Sequence, residues 1–448
     1  RRAAYLIGDL KRMYTKLPVF NMDQYGMETK EMLPQTGIGS LIEGLQNPKK
    51  MEEGSWQELY RWYCAQEDWS EKVYDLARIS RYRRPEDNLT LQTAQKLYGD
   101  WAPSISRLEK FAACACAHFL TYGLRLKERE VYEFAALDFG NIFHKALEKY
   151  ARRVEREGLE WTEVTKEQQE QFASESVDES IVDYSNTVIY SSARNAYIVP
   201  RMKRMMNRTV WAMTKQLRKG SFKPEGYEVS FGNGKIDRID TCETEDQVYV
   251  KILDYKTGAK SFDMAAFYHG LQMQLVVYME EAVRLEERKH PGKKIVPAGI
   301  FYYRMKDPIV GKELDEEKLE EAILKELRLD GIIRQEDTVI QRLDADFSGN
   351  SLVIPAGKTK SGYSKASKML LPEEFDAVLT YAQKRRTDLQ GAMYRGKAEA
   401  LPYCPYRDIC GFDEQIEGYE YRKLEKLPKE IVMEKIMAKL EEEKQTWE

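Results

Sequence analysis

Apolar and polar positions divide the chain into a helical front, a strand-rich middle and a helical end. Up to about residue 100, apolar residues such as Trp56, Leu59, Tyr60 and Tyr63 recur at three- and four-residue steps among charged ones. That period predicts amphipathic helices packed by their stripes. The stretch 34–54, rich in Pro, Gly and Lys, reads as a connector. A helix is expected to open at Ser104, capped in company with Glu109, and to carry Cys114, Cys116 and His118. Another begins after Asp138 as its N-cap, with Phe139, Phe143, Leu147 and Tyr150 on one face and His144 at its edge. Residues 160–220 read as charged and mostly helical. From Tyr227 the period falls to two, predicting strands over 227–231, 235–239 and 247–253. A helix over 264–285, a strand over 298–305, a charged helical segment over 311–336, a loop over 348–368, a helix over 372–396 and a closing charged helix follow. Helix, three strands, helix and strand in that order predict a compact α/β core with a mixed sheet.

Composition narrows the class without naming a chemistry. The 448 residues call for two or more packed units. With 42% hydrophobic and 32% charged residues, the chain is a folded protein rather than a disordered one. Seventy Lys and Arg against 74 Asp and Glu give a net charge of −4, so any nucleic-acid surface must be a local basic patch. Two places qualify. Arg201 to Arg208 is dense in cations and is either a solvated helix face or a phosphate-contacting one; Lys358, Lys360, Lys365 and Lys368 crowd one loop, for solubility or for DNA backbone contact. There is no run of 18 apolar residues, no signal peptide and no phosphate-binding Gly-x-x-x-x-Gly-Lys-Ser/Thr loop. The chain begins at Arg1, and we expect a cytoplasmic fragment of something longer, its sequons at Asn88 and Asn207 fortuitous.

Two strand segments carry the candidate chemistry: Gly234-Lys235-Ile236-Asp237-Arg238-Ile239-Asp240 and Val250-Lys251-Ile252-Leu253-Asp254-Tyr255-Lys256-Thr257-Gly258. Residues i and i+2 of a strand share a face, so Asp254 and Lys256 project together and a neighbouring strand can bring Asp237 beside them. Two carboxylates suit Mg²⁺, which binds few carboxylates and keeps positions for water and phosphate. An adjacent lysine can orient or deprotonate the water. His144 can add a nitrogen ligand or orient a carboxylate. Asp-x-Lys alone is usually a surface pair worth under ~1 kcal/mol. Its place at the end of an apolar strand, with a second acidic strand and an upstream histidine helix, sets it apart.

These residues resemble the PD-(D/E)XK nucleases of the RecB/AddB type over roughly 104–415. Gly140 to His144 is similar to that family's Gly-x-x-x-His motif, Ile236-Asp237-Arg238 to its Ile-Asp-Arg motif, and Asp254-Tyr255-Lys256-Thr257-Gly258 to its Asp-Tyr-Lys-x-Gly hallmark. Gln274 to Tyr278 is similar to its Gln-x-x-x-Tyr motif. The resemblance implies a restriction-endonuclease-like α/β core, a mixed central sheet flanked by helices, behind a helical N-terminal region. It implies a Mg²⁺- or Mn²⁺-dependent DNA exonuclease in which His144, Asp237 and Asp254 hold the metal, Lys256 is catalytic, and Gln274 and Tyr278 support substrate. The alternative is a catalytically silent scaffold that guides DNA and docks a partner.

Ser106 to Cys114 and Tyr403 to Phe412 resemble the AddB branch of the family, whose members work with an AddA-type helicase–nuclease subunit in resecting double-strand breaks for recombination. That branch implies a [4Fe-4S] cluster held by one cysteine before the core and three after it. Cys114, Cys404 and Cys410 match, but Leu401 stands where a fourth ligand belongs. Cys116 is a substitute; a zinc site or two free thiols is the other reading of Cys404 and Cys410. The implied organisation is a helicase-like remnant over 1–100, a nuclease domain over 101–425 with its ends stapled by cysteines, and a charged helix over 426–448.

Overall fold

A computed structural model describes residues 5–16, 18, 34–80, 89–99, 103–127, 136–184, 189, 193–232, 234–258, 260–311, 315–345, 348–364, 366–393, 404, 406–410 and 424–446. Leu401 and Lys365 lie outside them. The chain forms two compact units, residues 1–87 with 407–421 and residues 88–406 with 422–448.

In the first unit, helices Pro34–Gln46, Pro48–Met51, Gly54–Ala65 and Glu67–Ser80 close on Leu41, Trp56, Tyr63 and Val73. The expected connector over 34–54 is therefore mostly helical. Its prolines occupy helix-opening positions, where the missing N–H costs nothing. Its Gly44 lies against the Trp56 indole, where a Cβ would fall 1.7 Å from Nε1. The Trp56 indole N–H donates to the Leu41 carbonyl at 3.3 Å, and the Tyr63 hydroxyl to that of Pro34 at 2.5 Å.

The second unit is built on a six-stranded mixed sheet. β1 (Lys223–Phe231), β2 (Gly234–Glu243) and β3 (Gln247–Lys256) are an antiparallel meander, as the alternation predicts. β4 (Lys294–Arg304) pairs parallel to β3, β5 (Asp330–Arg334) antiparallel to β4, and a short strand Met369–Leu370 parallel to β5. β5 falls inside the segment expected to be helical; only Glu316–Glu326 of that segment is. Gly331 allows the strand to pair so tightly, since a Cβ there would lie 1.8 Å from the Ile300 carbonyl oxygen.

Helices cover both sheet faces, as an α/β core requires. Ala136–Arg156, Lys166–Tyr184 and Ile198–Leu217 pack on one face through Phe143, Leu147, Phe172, Met206 and Val210. Gln274–Lys289 and Pro372–Met393 cover the other through Leu275, Val276, Phe375 and Val378. The single helix expected over 264–285 is two, Met264–Tyr268 and Gln274–Lys289, broken at Gly270, whose φ of 82° lies in the left-handed region. Asp138 lies in the first turn of its helix rather than capping it. On Ile198–Leu217, Lys203 pairs with Asp178 at 2.6 Å and Arg208 lies over the Trp211 ring, while Met202, Met205 and Met206 are buried. No helix among the described residues is long and apolar enough to cross a membrane.

Candidate active site

The parallel pairing of β3 and β4 sets their C-terminal ends side by side, with Lys256 beside Arg304. Asp254 follows the buried Ile252 on one face of β3, and Lys256 continues that face into a pocket of about 450 Å³. Lys256 Nζ lies 2.5 Å from Asp254 Oδ2, 3.4 Å from Gln274 Oε1 and 5.6 Å from the centre of the Tyr302 ring. The antiparallel register pairs Arg238 with Leu253 and so brings Asp237, one residue earlier on β2, alongside Asp254. Asp237 Oδ2 accepts the Tyr255 backbone N–H at 2.7 Å.

His144 reaches this end of the sheet from the helix Ala136–Arg156. Gly140 of that helix faces Thr257, whose hydroxyl would lie 3.6 Å from a Cβ, an ordinary contact distance. His144 Nδ1 is 3.4 Å from Asp237 Oδ2 and 3.9 Å from Glu228 Oε1, and Nε2 is 3.0 Å from the Tyr255 carbonyl oxygen. On the opposite wall the Gln274 amide N–H donates to the Tyr278 hydroxyl at 3.0 Å, and the Tyr278 ring stands edge-on to Phe231. All six candidate residues thus converge on one end of the sheet.

Glu228, Lys235 and Glu109 also belong to the constellation and were not assigned to it by sequence. Glu228, at a φ of 51° unusual for a side chain of its kind, faces His144 and forms an ion pair with Lys235. Its signal was hidden, because only the β1–β2 register puts Glu228 opposite Asp237. Glu109 does not join a capping box at Ser104, which makes no side-chain cap bond. Instead Glu109 Oε1 accepts the backbone N–H groups of Met273 and Gln274 at 2.8 and 3.0 Å, fixing the start of the Gln274 helix.

Electrostatics follow from burial among like charges. Burial and the neighbouring Asp237 raise Asp254 to about 6, against the pull of Lys256 and His144. Burial alone would lower His144, but hydrogen bonds and charge from Asp237 and Glu228 hold it up at about 10. Burial would raise Glu228, yet His144 and Lys235 keep it below its ordinary value. Asp237, Asp254 and Glu228 are thus answered by His144, Lys256 and Lys235.

The residues fit a divalent cation. Ligand atoms of His144, Glu228 and Asp237 lie within 4.8 Å of one another. Glu228 Oε1 is a buried oxygen without a hydrogen-bond donor, the condition a cation relieves, while the buried Asp254 is met at Oδ2 by Lys256.

The cysteines are placed differently from expectation. Cys114 does not continue the Ile105–Ala113 helix but breaks it, with φ −164° and ψ 116°, and its Sγ accepts the Ala117 N–H at 3.4 Å. Burial pushes its thiol up, and Cys116 and Cys404 add to that. Cys410 ends the short helix Arg407–Cys410 of the other unit.

Comparison with known proteins agrees with this geometry. Residues 32–78 match the family model of the ATP-dependent helicase/deoxyribonuclease AddB fifth domain. Proteins named as a subunit of an ATP-dependent helicase/deoxyribonuclease are similar along most of the chain. That of Lachnoclostridium phytofermentans is 34% identical over 96% of this chain, that of Caldanaerobacter subterraneus 33% over 95%, and that of Alkaliphilus oremlandii 30% over 97%. The chain spans only 40 to 41% of those relatives' own length. The model of the PD-(D/E)XK nuclease superfamily matches residues 102–411, which take in the whole sheet and the helices carrying His144, Gln274 and Tyr278, and the chain belongs to that superfamily.

Proposed function

We propose that this chain supplies the nuclease of a DNA-end-processing complex, as a metal-dependent exonuclease acting on phosphodiester bonds. The observation that carries the reading is the meeting of Asp237, Asp254, Lys256 and His144 at one sheet end, beside a buried Glu228 oxygen that lacks a donor. Degenerate scaffolds of this kind have no need to keep such an arrangement, because buried unpaired carboxylates are costly.

Asp237, Asp254, Glu228 and His144 would hold Mg²⁺ or Mn²⁺. Bound there, the ion would activate water and neutralise a phosphate oxygen. Lys256, held between Asp254 and Gln274, places its ammonium where an attacking water or a phosphate oxygen arrives. Gln274 and Tyr278 keep that lysine from swinging out, since the Gln274 amide is itself fixed by the Tyr278 hydroxyl. The Tyr255 carbonyl and Asp237 orient the His144 ring.

The relatives' names support a place as one subunit of a larger helicase–nuclease. On that reading the partner is an AddA-type subunit, the substrate is DNA, and the task is resection of double-strand breaks in the cytoplasm. A [4Fe-4S] cluster on Cys114, Cys404 and Cys410 remains part of the proposal, and iron content with visible absorbance of anaerobically purified protein tests it. The nuclease is tested by degradation of linear DNA with Mg²⁺ or Mn²⁺. Wild type degrades it and Asp254→Ala does not; equal rates would remove the site.

A further inference from the structure

A second cavity, of about 280 Å³, opens beside the site. Arg304, Lys306, Lys325, Arg328 and Lys368 line it, against only two carboxylates, Glu326 and Asp330. Asp330 is shared by Lys368 at 2.5 Å and Arg304 at 3.4 Å, and Lys306 pairs with Glu326. Arg328 meets the Ser351 carbonyl at 3.3 Å. Neither Arg328 nor Lys325 reaches a carboxylate within ion-pair distance among the described residues. The floor is small and polar, with Gly357, Ser364 and Ser367, so a phosphate can approach the backbone closely. In a protein of net charge −4 such a concentration of cations in one concavity is a local field for an anion.

One hydrogen bond links the walls of the two cavities. Lys260 lines the catalytic pocket, Arg304 lines the basic one, and the Arg304 guanidinium donates to the Lys260 carbonyl at 3.3 Å. Lys256 and Lys260 both lie over the Tyr302 ring, at 5.6 and 5.4 Å from its centre. Lys256 and Arg304 end the neighbouring strands β3 and β4, and Lys260 and Lys306 follow them in the chain.

We propose that this cavity is a subsite for the backbone phosphates of single-stranded DNA, holding the strand a few nucleotides from the bond being cut. The inference rests on the nuclease reading of the neighbouring site and adds what positions its substrate. A concavity of this size admits one backbone and not a duplex. Cations supply sequence-independent grip on phosphate, as an exonuclease working along a strand requires.

The test uses the full-length protein. Lys325→Glu, at an exposed helix end, keeps the fold, and Lys325→Gln/Arg328→Gln removes both uncompensated cations. Binding of a single strand of about 16 nucleotides is followed by fluorescence anisotropy in EDTA, where nothing is cut. The double variant should bind about tenfold more weakly, with a salt slope smaller by about 0.7 for each phosphate no longer held. With Mg²⁺, KM for the long strand should rise while kcat and the KM for a strand of about four nucleotides stay unchanged. Unchanged affinity and salt slope overturn the proposal, as does a loss confined to association with the partner subunit. If the wild type cuts no DNA, the nuclease reading fails, and the EDTA measurement still decides the subsite.

Discussion

The two faces of β2 and β3 carry the same kinds of residue to opposite ends. On one face Arg238, Asp240 and Lys251 are fully buried, the guanidinium meeting both Asp240 oxygens at 2.5 and 2.8 Å and the ammonium approaching at 3.3 Å. Burial would raise Asp240, yet Arg238 and Lys251 hold it below the ordinary carboxylate value. On the other face Asp254 is as deeply buried but lies beside Asp237, and its value rises. The first network is closed, with two cations on one carboxylate; the second is open, with two carboxylates set side by side. Burial alone therefore does not separate a structural ion cluster from a functional one; the balance of donors against carboxylates does.

The closed face should break most severely. Asp240→Ala leaves Arg238 and Lys251 uncompensated in the interior and should cost about 3–5 kcal/mol, read as a lower midpoint in chemical denaturation. On the open face, Lys256→Ala should cut DNA degradation by about 10²–10⁴-fold with the denaturation midpoint nearly unmoved. A loss of both together would mean that Lys256 is structural.

Asp254→Asn sharpens the contrast. Because the folded value is raised, the folded protein binds more protons than the unfolded chain between about 4 and 6, and the cost of the charged form persists at higher pH. The metal-free variant should therefore be more stable than wild type at pH 8, by up to about 3 kcal/mol, equal to it near pH 4, and inactive. A destabilised variant at pH 8 would show that Lys256 already satisfies Asp254.

The smallest effect concerns His144. Its value is raised, so its contribution to stability is complete below about 6.5 and lost as pH climbs through about 10. A divalent ion must displace that proton, so affinity measured by calorimetry should increase with pH by up to about tenfold per unit until it levels off near 10. His144→Asn should flatten that dependence, and an unchanged slope would exclude the histidine as a ligand.

Much of the site was legible because strand alternation and motif order are local. Asp254 with Lys256, and Gln274 with Tyr278, depend on spacings of two and four residues that the chain displays directly. Glu228 depends on which residue of β1 meets Asp237, a pairing set by a register shift between Pro224 and Gly226 that composition does not reveal. Asp240 and Arg238 were visible as charges, but with charge on both faces of β2, alternation cannot say which face is sealed. β5 was lost because five residues containing Asp and Gly carry too little period to outweigh the charged helix before them. The 34–54 segment was misread because Pro and Gly mark helix starts and close packing as well as loops.

The hold of Glu109 on the start of the Gln274 helix spans 164 residues of sequence to Met273. A recombinant fragment trimmed to begin at the His144 helix would retain His144, Asp237, Asp254, Lys256, Gln274 and Tyr278 and yet fray at Gln274. It would strip two backbone N–H groups of their acceptor, at about 1–3 kcal/mol each if they stay buried. The smallest autonomous piece of this protein must therefore begin upstream of the His144 helix, early enough to include Glu109.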